Sequence, residues 1–194
     1  NADGNEVFAL NNRGPQHGPM GGQGQRPNAQ KLDLNRDHMK LDSPEARAVV
    51  KLMNDYDPHV SMDLHTTNGT RHAYYLTYAP PLNQATDPAI IALLRQEWLP
   101  WVTKTIKTKY DWDYYYYGNL QGRDTTRGWY TFEHVARFNN NYVGLRNRFA
   151  GAGCLPTPGG YQGRGALTPE REIGDTAGTL DFVALPGKAF FEEG

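Results

Sequence analysis

Between Ser43 and His65 the hydrophobic period of the chain switches from helical to alternating across a single Asp-Pro boundary. Ser43-Pro44-Glu45 is a helix start: Ser as N-cap, Pro at the first helical position, and Glu near the positive end of the helix dipole. Ala46, Val49, Val50 and Met53 follow at helical spacing, and Asp57-Pro58 ends the run. His59 to His65 then alternates, with Val60, Met62 and Leu64 on one side and Ser61, Asp63 and His65 on the other, which predicts a strand. Thr86-Asp87-Pro88 opens a second helix carrying Ile90, Ile91, Leu94, Trp98 and Trp101 on its apolar side, and Pro100 is expected to kink it or split it in two. Further strands are predicted over Arg71–Tyr78, Trp112–Tyr117, Trp129–Glu133 and Tyr142–Arg146. Strands alternating with helices specify an α/β sheet with helices packed on its faces. No internal repeat of solenoid period is present.

The 194 residues suffice for one domain with a real core. A net charge of −1 gives no electrostatic footprint for nucleic acid or an anionic membrane. No apolar run is long enough to span a bilayer, and no signal peptide is visible. One cysteine, Cys154, excludes an internal disulfide and a Cys-based zinc cage. The 12 tyrosines suit a wall that binds peptides or sugars, and are equally common in sheet proteins. Asn1–Gln30 is rich in Gly, Asn, Gln and Pro and reads as an extended loop. From about Ala150 the composition changes: roughly half of the glycines fall in the last quarter, with Pro156, Pro158, Pro169 and Pro186. Thr168-Pro169-Glu170 could start a short helix there and Phe182–Leu185 a short strand, but the segment is expected to pack poorly.

Two short segments carry chemistry. Leu32-Asp33-Leu34-Asn35-Arg36-Asp37 sets an amide beside a guanidinium, a pair suited to a carboxylate because Arg offers a planar fork of donors and Asn adds another. Ser61-Met62-Asp63-Leu64-His65-Thr66-Thr67-Asn68-Gly69 is a strand that delivers one imidazole to a polar turn, as open α/β sheets do at metal and catalytic sites. Taken singly, His65 reads as a structural histidine, and Asn35 and Arg36 as a turn cap and a surface arginine. Their flanking motifs change that reading.

Asn1-Ala2-Asp3-Gly4-Asn5, Arg26-Pro27-Asn28-Ala29, Asp33-Leu34-Asn35-Arg36-Asp37 and Asp63-Leu64-His65-Thr66 occur in the order seen in zinc carboxypeptidases of the carboxypeptidase A type. The chain resembles that family over roughly its first three quarters, with Ala2 where the family has proline. The resemblance implies a mixed, mostly parallel sheet with helices on both faces, as a partial domain. Residues 1–149 would be the central part of the catalytic domain, and 150–194 an irregular Gly/Pro-rich tail outside the native fold.

By the same resemblance His65 is the third ligand of a catalytic Zn2+, opposite a His-x-x-Glu pair. Asn35 and Arg36 hold the C-terminal carboxylate of a peptide or protein substrate. Arg26 polarises the scissile carbonyl and steadies the oxyanion. No His-x-x-Glu occurs in the sequence, so the other two ligands are expected in a part of the domain upstream of Asn1. The family's general base is a glutamate soon after a stretch like Asn140–Arg148. Here Phe149-Ala150-Gly151-Ala152-Gly153-Cys154 follows instead, and none of Glu133, Glu170 and Glu172 has the right context. The abrupt change suggests a shifted reading frame near Phe149, which the other two frames of the coding DNA would reveal. Tyr130 and Tyr142 could bond a substrate peptide, although packing on a sheet explains both.

The expected activity is hydrolysis of a C-terminal peptide bond. The alternatives are deacylation of N-acyl amino acids, as in the desuccinylase and aspartoacylase enzymes, and an inactive module that binds peptide carboxylates. Family habit places such proteins outside the cell or in the periplasm.

Overall fold

The computed structural model describes residue 3 and residues 24–66, 74–120 and 129–155. The predicted short helix at Thr168 and strand at Phe182 lie outside these, as do Arg71–Ala73, the glutamates Glu170 and Glu172, and most of the Asn1–Asn5 motif.

Helix α1 spans Pro44–Tyr56. Its Ser43 cap accepts a hydrogen bond from the Ala46 N–H at 3.1 Å, and Asp57 closes it in the left-handed region at φ 42°. Strand β1 follows at Val60–Thr66 and β2 at Leu76–Ala79. Helix α2, Pro88–Ala92, runs into one π-helical stretch, Leu93–Trp98, and on into α3, Leu99–Tyr110. The Leu99 N–H reaches back to Leu94 O across this widened turn. Pro100 has no N–H to give, and the wide turn just before it separates the two α-helical stretches without ending the helical path. Short strands β3 (Tyr114–Tyr116), β4 (Asn119–Leu120) and β5 (Trp129–Tyr130) come next, then α4 (Asn139–Leu145) and β6 (Phe149–Leu155).

The main sheet has the order β1-β6-β2-β3, with β1/β6 and β2/β3 parallel and β2/β6 antiparallel. It is an α/β fold with a mixed, mostly parallel sheet. Tyr78 lies opposite Gly153 and Ala79 opposite Ala152, so Leu76 and Tyr78 share one face and Ala150 and Ala152 the other. On the first face Leu76 packs with Val102 and Ile106 of α3, and with Tyr75 and Trp112. On the second, Ala150 packs with Met53 of α1 and Val143 of α4. Helices therefore cover both faces. No helix among the described residues is long and apolar enough to cross a membrane.

Sequence expectations are corrected at several places. Tyr142–Arg146, expected as a strand, lies mostly within helix α4. The helix is fixed by side chains whose partners are remote in sequence. The fully buried Asn141 accepts from the Leu82 N–H at 2.7 Å and donates to the Glu133 carbonyl at 3.1 Å, while Asn140 donates to the Pro80 carbonyl at 2.8 Å. Residues 150–155, assigned by composition to the irregular tail, belong to β6, an inner strand paired on both sides. Its small residues let the neighbours close in: a Cβ on Gly151 would stand 3.1 Å from Met62 Cε. The predicted strand over Trp129–Glu133 is confined to Trp129–Tyr130.

Candidate carboxylate-binding site

The loop before α1 holds three of the four residues singled out by sequence. Asn28 pins its base: the side-chain oxygen accepts from the Leu32 N–H at 2.9 Å and the amide donates to Glu45 of α1 at 3.1 Å. Asp33 then starts a single 3-10 turn, Leu34–Arg36, by accepting from the Asn35 N–H at 3.0 Å. Its other carboxylate oxygen pairs with Arg26 Nε at 2.9 Å. One aspartate thus positions both Arg26 and the Asn35-Arg36 turn.

Asp37 closes the loop. Its carboxylate accepts from the Asp42 N–H at 3.0 Å and the Ser43 N–H at 2.7 Å. Burial works against its charge, but these bonds and one from the Ser43 hydroxyl outweigh it and hold the carboxyl below its usual range. The Asp37 backbone carbonyl accepts from the Leu41 N–H at 2.8 Å, with Leu41 in the left-handed region at φ 59°.

The Arg36 guanidinium lies over the Phe138 ring, 4.2 Å from its centroid. Among the described residues its only hydrogen bond runs from Nη1 to the Asn35 carbonyl, at 2.8 Å. The rest of its donor fork is uncommitted. Burial lowers its pKa; Asp33 and Glu133 oppose that, and the nearby guanidiniums of Arg26 and Arg137 add to it. Three arginines therefore gather around one turn. Arg137 also forms an ion pair with Glu133.

His65 lies at the C-terminal end of β1. Its Nε2 is 2.9 Å from Asp63 Oδ2, and both side chains are partly exposed. Buried His38, two residues beyond Arg36, feels both of them: Asp63 favours its protonated form and His65 disfavours it. Burial is the largest effect and pushes the His38 pKa down, so the ring is neutral near pH 7. Its Nε2 lies 3.0 Å from the Asn139 side-chain amide at the start of α4. His38 links the arginine turn to the start of α4.

The resemblance implies zinc at His65, and the described residues do not build such a site. Catalytic zinc takes three protein ligands and keeps an open position. His65 Nε2 lies against Asp63, which leaves Nδ1 as its metal-facing nitrogen, but no group of three His, Cys, Asp or Glu is placed to hold a metal among the described residues.

Sequence reasoning did not single out His38, Arg137, Phe138 or Asn139 for this region. Only the Glu133/Arg137 spacing, four residues apart, carried a local signal. Tyr142 sits on α4 with its ring 6.0 Å from that of His38, and Tyr130 is exposed on β5. No family model, curated protein or solved structure matches the chain.

Proposed function

We propose that the chain recognises a free C-terminal carboxylate of a peptide through Arg36, with Asn35 and Arg26 beside it. The observation that carries this reading is the uncommitted donor fork of a half-buried Arg36, backed by Phe138 and flanked by two further guanidiniums. A carboxylate there would accept parallel hydrogen bonds from Arg36 and pair with its charge.

Zinc-dependent hydrolysis of the adjacent peptide bond, with His65 as a ligand and Arg26 at the scissile carbonyl, rests on the resemblance to zinc carboxypeptidases. The rival reaction, deacylation of small N-acyl amino acids, also needs a carboxylate anchor. The Arg26-Pro27-Asn28-Ala29 context and the aromatic-rich middle of the chain favour peptides.

Assaying amine release from C-terminal peptides and from N-acyl amino acids, with zinc supplied, separates these readings. Release from peptides that is lost in His65→Ala supports the carboxypeptidase reading. Release from N-acyl amino acids alone supports the deacylase. Binding of peptides without release supports a carboxylate-binding module.

A further inference from the structure

We propose that Arg137 is a second anion-binding arm of the carboxylate site, one that selects peptides whose last residue is glutamate or aspartate. This deepens the reading of Arg36 as a carboxylate anchor and rests on it.

Phe138 carries two guanidiniums. That of Arg36 lies 4.2 Å from the ring centroid and that of Arg137 5.6 Å. A shared ring keeps their central carbons within about 10 Å of each other. Arg36 comes from the 3-10 turn before α1, and Arg137 from the approach to α4. Buried side chains lock these two parts of the chain together. The Asn139 amide lies 3.0 Å from Nε2 of His38, two residues past Arg36. Fully buried Asn141 donates to the Glu133 carbonyl at 3.1 Å and to the Val135 carbonyl at 3.2 Å, which holds the turn leading to Arg137. Both arms are thus placed before a ligand arrives.

Arg137 already takes a carboxylate. Its Nη2 pairs with Glu133, four residues earlier. Its other guanidinium nitrogens have no hydrogen bond among the described residues, and Nε is buried without a partner. The two paired side chains are 42% and 61% exposed. An exposed pair of this kind contributes little, so Glu133 can yield the arm to a carboxylate from outside. Glu133 is an internal stand-in for the charge of the ligand.

A terminal glutamate or aspartate brings two carboxylates on one residue. Their carbons are about 4–5 Å apart, and each pairs with a guanidinium at about 4 Å between carbons. That reach covers the gap between Arg36 and Arg137. The α-carboxylate takes the uncommitted fork of Arg36, and the side-chain carboxylate takes the Arg137 arm. A terminal lysine or arginine would set a third cation beside the two guanidiniums and is disfavoured. A neutral last residue leaves Arg137 with Glu133 and gains nothing from it.

The test is calorimetric titration of the full chain with one peptide ending in glutamate, the same peptide ending in glutamine, and the glutamine peptide as its α-amide. The glutamate peptide should bind at least tenfold more tightly than the glutamine acid. Arg137→Gln should remove that difference and keep the preference for the glutamine acid over its amide. Glu133→Gln acts in the opposite direction without touching Phe138, and should tighten the glutamate peptide about threefold with the glutamine acid unchanged. A merely structural role for Arg137 would weaken both acids alike. Equal affinity for glutamate and glutamine acids, or a glutamate preference that survives in Arg137→Gln, overturns the acidic specificity while the acid-over-amide preference keeps the anchor reading intact. Equal affinity for the glutamine acid and its amide overturns both.

Discussion

The guanidinium of Arg36 stacks on Phe138, 4.2 Å from the ring centroid, and so joins the loop before α1 to the residue that precedes α4. The contact leaves most of the guanidinium edge available while fixing its plane. Phe138→Leu keeps apolar volume and removes the π face. Peptide affinity should fall about threefold or more, in line with a cation–π contribution of about 0.5–2 kcal/mol. Calorimetric titration with a C-terminal peptide measures it.

Asp37 holds the end of the site loop against the cap of α1. Asp37→Ala leaves two backbone N–H groups without their acceptor and should cost about 2–3 kcal/mol in urea unfolding. Its folded pKa lies below the unfolded value. The stability it contributes is therefore complete above the unfolded carboxylate pKa, near about 4, and is lost as pH falls through the folded value.

His38 gives a pH dependence in a higher window. Burial lowers its folded pKa, so the unfolded chain binds its proton first as the solution is acidified. Stability should decline as pH falls below the unfolded histidine value, about 6.5, until the folded value is passed. Thermal melts across pH 4–8, compared with His38→Gln, should show a flatter slope in the variant over that window, as the linkage of one proton requires.

The inner position of β6 makes a further prediction. Ala150 is 1% exposed between Met53 and Val143. Ala150→Asp buries an unpaired carboxylate and should destabilise the fold by about 3 kcal/mol or more, read by denaturant unfolding. A change within a few tenths would mean that the segment is not part of the sheet.

The parts of this fold legible in the sequence are those whose causes are local. Helix α1 was legible because its cap, its proline and its apolar spacing lie within one stretch, and β1 because its alternation is uninterrupted. Helix α4 was not, because Asn139, Asn140 and Asn141 have no apolar period. Their burial comes from hydrogen bonds to partners as remote as Pro80, Leu82 and His38. Strand β6 was not, because alanine and glycine give no hydrophobic signal until Met62 and Met53 close over them. The site divides the same way. Asn35, Arg36 and His65 stand in motifs, whereas Arg137 and Phe138 reach the site only through the packing of α4 against the loop, and His38 lies in the loop but outside any motif.

The central claim is that Arg36 takes a free carboxylate. Its most direct test is calorimetric titration of one peptide with a C-terminal acid against the same peptide as its amide, on the wild-type chain and on Arg36→Ala. The account predicts that the acid binds at least tenfold more tightly than the amide and that Arg36→Ala abolishes the difference, as expected for loss of charge-assisted hydrogen bonds. Equal affinity for acid and amide, or a preference for the acid that survives in Arg36→Ala, would contradict it.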